Sequence, residues 1–148
     1  MTESTPEGRA QAVVLRSVLT GRPVPGSDSP CRPADLSLAT DPDGTVRVLA
    51  TDLSPEAADV VRSPGTRARL VPANEVSALR AAPGVAAVLR LRPPEVLPGP
   101  DRLRRVRIAV EVCAVREHGL LPLDSLLVVL RQEDDGWVLD GPPTGLAT

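Results

Sequence analysis

The chain has 148 residues, of which 42% are hydrophobic and 24% charged, with a formal net charge of -2. That length fits a single domain able to bury a sizeable core. The near-balanced charge excludes a global electrostatic pull toward nucleic acid or anionic membrane, although it leaves room for a local patch.

In chain order, "TPEGRAQAVVLRSVLTG" predicts the first helix. Pro6 and Glu7 suit an opening turn behind Ser4 or Thr5, Ala10, Val13, Val14 and Val18 recur on one face, and Gly21 with Pro23 ends it. Residues 22–34, "RPVPGSDSPCRPA", are too rich in Pro, Gly and Ser for a regular period and predict a surface loop within one domain spanning 1–148. The runs on either side of "DPDG" in "LSLATDPDGTVRVLA" predict a β-hairpin. "SPEAADVVRS" predicts a short helix with Ser54 as N-cap and Pro55 at its first position. A second short helix is expected in "ANEVSALRAA", with residues 67–71 before it either a brief strand or an extended link.

From Val85 the period changes to two. "VAAVLRLR" sets Val85, Ala87, Leu89 and Leu91 against Arg90 and Arg92, and "PPEVLPGP" breaks the run. In "RRVRIAVEVCAV", Val106, Ile108, Val110 and Val112 alternate with Arg105, Arg107, Ala109 and Glu111, the clearest half-buried strand of the chain. "SLLVVLRQ" and "WVLD" follow, so four successive strands predict an antiparallel meander with one buried face. Across its last turn Asp134 is expected opposite Trp137 and Arg131 opposite Asp140, which points Leu126, Val128, Leu130, Trp137 and Leu139 inward. There is no Phe or Tyr and one Ile, so the core is aliphatic around that single Trp.

The order of helix, hairpin, helices and long-stranded meander ending in "VVLRQEDDGWVLDG" resembles the nuclear-transport-factor-like family, which includes SnoaL-like and ketosteroid-isomerase-like proteins. The resemblance implies an α+β cone in which a curved antiparallel sheet wraps around helices; the alternative is a generic α+β open sheet with helices on one face. The same scaffold serves enzymes, binding modules and dimerisation domains, and its motifs carry no catalytic residue onto this sequence.

Few side chains here carry chemistry. His118 is the sole histidine, beside a Gly at a strand end, and reads as a turn residue; no spacing selects Cys113, a Ser or Glu117 as triad partners for it. Cys113 shares its parity with Arg107 and Glu111, so either it is partly exposed or a bulge at "CAV" returns it to the core as a small hydrophobe. Cys31 and Cys113 form neither a disulfide framework nor a metal knuckle. Asp41 and Asp43 sit in "DPDGTVRVLATD", where the Gly comes too early and Arg47 replaces a ligand, so a calcium loop is not expected. No cofactor, metal site or catalytic residue is assigned.

The remaining feature is arginine. All 17 basic residues are Arg, a usage that with abundant Ala, Pro and Val points to the coding bias of a high-GC bacterium. If the strands containing them are neighbours, Arg90, Arg92, Arg105 and Arg107 share one face, with Arg67 and Arg69 adjoining. Like charges across a strand pair are unfavourable, so Glu95 and Glu111, an acidic partner or phosphates have to neutralise them. The leading expectation is a non-catalytic protein-interaction module, a homodimer or a binder of another protein. The alternatives are a SnoaL-like small-molecule binder or enzyme and a phosphate-backbone nucleic-acid binder; single-strand binding is disfavoured because no exposed aromatic offers a stacking platform. The opening segment has no secretory pattern and no run of roughly eighteen apolar residues follows, so a cytoplasmic protein with no membrane contact is expected.

Overall fold

The computed structural model describes residues 5–81, 87–98, 104–117, 119–134 and 136–146. Helix α1, Pro6–Thr20, begins where Thr5 Oγ1 accepts the Gly8 N–H at 3.0 Å and ends at Gly21, whose φ of 76° closes the last turn onto Ser17 O. Ala10, Val14, Leu15 and Val18 on its apolar face are fully buried. Strand β1, Val46–Leu49, leads through helix α2, Pro55–Arg62, to strand β2, Ala68–Val71. Ser54 caps α2 by accepting the Ala57 N–H at 3.1 Å. A 3-10 turn at Ala73–Glu75 runs into helix α3, Val76–Ala81. The remaining strands are β3, Ala87–Leu91; β4, Glu95–Leu97; β5, Arg105–Arg116; β6, Gly119–Glu133; β7, Gly136–Leu139; and β8, Thr144–Leu146.

These elements make a mixed α+β fold in which the sheet is curled and open, a half-barrel. Its strand order is β2-β1-β3-β5-β6-β7, with β4 paired to β5 and β8 paired to β6. The meander β3-β5-β6-β7 is antiparallel, but β1 pairs parallel with both β2 and β3. The all-antiparallel expectation is therefore corrected to a mixed sheet. The physical reason is the connection: α2 carries the chain back over one face, so β2 returns in the direction of β1.

The expected "DPDG" hairpin is also corrected. Its first half, Leu36–Ala39, is a 3-10 turn, and only an isolated bridge joins Thr40 to Val46. What holds this segment is Arg47, 2% exposed, whose guanidinium bonds Asp41 Oδ1, Leu38 O at 2.9 Å and Ala87 O at 3.0 Å. Arg47 thus ties the 3-10 turn, β1 and the start of β3 together. Gln11, fully buried, does the same for α1, its Nε2 donating to Asp52 O at 3.0 Å and Arg92 O at 3.2 Å while Oε1 accepts the Ser54 N–H at 2.6 Å.

The main core lies between the inner sheet face and α1 with α2. Val106, Ile108, Val110 and Val112 of β5, Val128 and Leu130 of β6, and Trp137 and Leu139 of β7 join Val14, Val18 and Val60 there. A second, smaller core occupies the outer face at one end, where Leu49, Val88, Cys113 and Val115 lie beneath Val76 and Leu79 of α3. Helices therefore cover both faces rather than one. Cys113 keeps the parity of Glu111, opposite Val88, and is buried because α3 covers that parity. The register does step between Val112 and Cys113 against β6, where Pro122 lacks the donor a regular ladder needs.

The closing hairpin is shifted from its expected pairing. Glu133 lies opposite Gly136, Gln132 opposite Trp137 and Leu130 opposite Leu139. Asp134 takes a left-handed φ of 46°, which Asp tolerates, so the turn forms one residue earlier. Each β7 residue consequently meets a β6 residue two positions before the expected one, a shift that preserves the face. Trp137 still points inward at 4% exposure. The segment 22–34 follows the surface as a strap with three anchors, Val24, Cys31 and Pro33 being buried, and Pro25 O accepts the Leu139 N–H at 2.8 Å on the β7 edge.

Candidate interaction surface

On the outer face of β3, β5 and β6 the odd-numbered side chains of β5 meet the arginines of its neighbours. Arg90 lies directly opposite Glu111, with Nε 2.9 Å from Oε1. Arg92, just past the end of β3, places its Nε 4.0 Å from the same oxygen. Arg107 faces Glu95 across β4 and donates Nη2 to Oε2 at 2.6 Å and Nε at 3.2 Å. Arg105 faces Arg131 across β6, and Asp140 lies between them, its Oδ2 3.4 Å from Arg105 Nη1 and its Oδ1 3.4 Å from Arg131 Nη1. Glu133 adds a contact of 2.8 Å to Arg131 Nε, so neighbouring carboxylates hold this guanidinium's pKa above its ordinary value.

The structure thus brings Arg90, Arg92, Arg105 and Arg107 onto one array, and it places a carboxylate beside each. Arg69 does not join them. It sits on β2, separated from β5 by β1 and β3, and pairs at 3.3 Å with Asp41 Oδ2, the other oxygen of the carboxylate that holds Arg47. One device recurs three times: Asp41 bridges Arg47 and Arg69, Glu111 bridges Arg90 and Arg92, and Asp140 bridges Arg105 and Arg131. In each case one acid is shared by two neighbouring cations and offsets their repulsion, with Glu133 as a second acid at Arg131.

Between the ion pairs the face is apolar. Ala109 lies opposite Leu127 and Arg107 opposite Val129, and all four are half-buried. Leu127 and Ala109 floor a shallow open depression rimmed by Arg92, Glu95 and Arg107. Sequence reasoning found the arginines but missed this floor and the Arg105 contact of Asp140. The odd positions of β6 were the available signal, because they fall opposite the odd positions of β5.

The other expected chemistry stays apart. His118 lies outside the described residues. Cys31 and Cys113 are buried, free thiols, and burial pushes both pKa values up, away from nucleophilic thiolate. Asp43 accepts the Thr45 N–H at 2.9 Å, a turn contact that lowers its pKa. Among the described residues no group of three or more His, Cys, Asp or Glu is arranged to hold a metal ion, and no helix is long and apolar enough to cross a membrane. No protein-family model, curated protein or solved structure matches this chain.

Proposed function

We propose that the chain is a non-catalytic protein-interaction module that pairs with a second copy of itself through the outer face of β5 and β6. The observation that carries this reading is the apolar floor of Ala109, Leu127 and Val129 framed by ion pairs. A floor of this kind inside a charged rim is the anatomy of a protein interface. Because the rim contains both signs, paired within the chain, two copies of the surface meet across a twofold axis without a net charge clash, as an isologous dimer requires. The curled sheet around α1 and α2 supports a cone-like scaffold of the nuclear-transport-factor-like kind, with the parallel β1 pairs as its departure from an all-antiparallel cone. Phosphate binding by this face gains no support, since its guanidiniums are engaged by carboxylates of the same chain. A ligand held between sheet and α1 gains none either, because Val14 and Val18 share that space with Ile108 and Leu130 in one core cluster. The test is sedimentation equilibrium of the parent and of Leu127→Asp. A dimer that dissociates on substitution is expected; a parent that stays strictly monomeric at about 0.5 mM, weaker than any stable interface of standard size, removes the homodimer.

A further inference from the structure

The arginines of this chain are segregated in a way that the outer sheet face does not explain. Nine of the fifteen whose side chains are described stand in ion pairs. Of the six with no ion pair to described residues, four line a single cleft: Arg16, Arg22, Arg32 and Arg67. They come from three separate stretches of chain. Arg16 is in the last turns of α1 and Arg22 follows its Gly21 cap, Arg32 closes the Pro-rich strap, and Arg67 precedes β2. Scattered solvated arginines have no reason to converge. Arg67 feels the exposed Asp43 carboxylate, which is held by Thr45, whereas Arg16, Arg22 and Arg32 have no ion pair to described residues.

The cleft is open and has a volume of about 1020 Å³, enough for a ligand of metabolite size. Its floor is apolar, with Leu36 and Val60 almost fully buried, and Thr20, Ser37 and Ser63 supply hydroxyls on its walls. Asp41, the carboxylate that lines it among the described residues, is already occupied at both oxygens by Arg47 and Arg69. Arg32 is positioned rather than free: its Nε donates to Val18 O at 3.0 Å, drawn by the carbonyl end of α1, while its Nη groups make no hydrogen bond to described residues. Arg67 extends over Gly44, where a Cβ would come within 3.2 Å of its Nη1. Gly44 has a φ of 93°, so the "DPDG" turn both needs this glycine and clears the space for that guanidinium.

We propose that this cleft binds a small phosphorylated molecule, its phosphate held by Arg22, Arg67 and their neighbours and its compact apolar portion resting on Leu36 and Val60. A tetrahedral dianion accepts hydrogen bonds from several directions at once, which suits forked donors arriving from separate segments. An open cleft of this size, with its cations clustered rather than spaced along a track, favours a small ligand over a nucleic-acid backbone. The site is separate from the outer face of β5 and β6 and does not depend on dimer formation.

The experiment is isothermal titration calorimetry with inorganic phosphate, pyrophosphate, phenyl phosphate and a duplex oligonucleotide at low ionic strength. It compares the parent, the double variant Arg22→Gln/Arg67→Gln and the control Arg9→Gln/Arg116→Gln, two exposed arginines outside both the cleft and the outer-face surface. Arg22 and Arg67 are exposed and make no side-chain hydrogen bond to described residues, so their replacement leaves folding intact. Phenyl phosphate is expected to bind more tightly than inorganic phosphate, and the cleft variant to lose at least roughly tenfold in affinity while the control keeps the parent value. Three results overturn the proposal: no heat from the parent at about 10 mM phenyl phosphate, a range covering even millimolar dissociation constants; equal loss in the control; or binding confined to a duplex oligonucleotide.

Discussion

Arg105 and Arg131 stand directly opposite each other on β5 and β6, and their guanidiniums share one carboxylate, Asp140, at 3.4 Å on either side. Two like charges in cross-strand register repel, and a single acid arriving from beyond β7 converts the pair into a bridge. Asp140→Asn is therefore expected to lower the thermal midpoint at about 20 mM salt and to have no effect at about 0.5 M, where screening acts over a few ångströms. Thermal melts at the two ionic strengths check this; a loss independent of salt would show that Asp140 acts through packing instead.

The Asp41 bridge differs because one of its partners is buried. Arg47 is 2% exposed, so Asp41→Asn leaves a charge out of water without its counterion. A cost of about 3 kcal/mol or more is expected in urea denaturation. Adding Arg47→Met to Asp41→Asn removes the stranded charge, and the double variant should be more stable than Asp41→Asn alone. If the two replacements add without recovery, the buried pair is not the linkage described.

Trp137 fills the inner face beside Leu139 and Leu130. Trp137→Ala is expected to cost about 3–5 kcal/mol, with the urea midpoint as readout. Asp134→Gly, at the left-handed position of the same turn, is expected to leave stability unchanged or raise it by roughly 0.5 kcal/mol, because glycine adopts that φ without strain. Equal midpoints for Trp137→Ala and the parent would place the ring outside the core.

The two thiols give a pH dependence of defined sign. Burial raises the pKa of Cys31 and Cys113 in the folded protein. Above the ordinary thiol value of about 8.5 the unfolded chain sheds these protons while the folded chain keeps them. The thiols' stabilising contribution is complete below that pH and declines as pH rises past it. Urea midpoints between pH 7.5 and 10 should fall more steeply in the parent than in Cys31→Ala/Cys113→Ala, a range chosen to straddle that value. Identical slopes would remove the thiols from the account.

Where a segment carried its own period or its own cap, the sequence was explicit. Val106, Ile108, Val110 and Val112 of β5 are all fully buried, Thr5 and Ser54 cap the helices they precede, and Gly21 ends α1. Strand direction was not legible, because alternation looks the same in a parallel and an antiparallel partner; only the placement of α2 over the sheet decides that β2 runs with β1. The three-residue strands β4 and β8 lie among prolines and carry no period of their own, so their strand character comes from β5 and β6 beside them. Arg47 in "TVRVL" reads as the exposed member of an alternating strand, yet the chain buries it, since Asp41, Leu38 and Ala87 supply acceptors that arrive only on folding. For the same reason the candidate surface was half legible: the arginine positions follow from parity, whereas the carboxylate that joins Arg105 to Arg131 comes from the far side of a turn whose register the sequence left two residues adrift.

The position of β1 also governs how the chain has to be made. Its two partners arrive at very different times, β2 within about two dozen residues and β3 only at Ala87–Leu91, which in turn depends on β5. A ribosome releasing this protein from its N-terminus exposes the β1–α2–β2 unit with one flank bare until the later strands emerge. The long β5–β6 hairpin, closed by the neighbouring pair Arg116 and Gly119, is made only after this unit and must then capture what has been waiting. A fragment of residues 1–81 should accordingly aggregate when expressed alone and be rescued by co-expression of residues 82–148, which makes the second half of the chain the first half's chaperone.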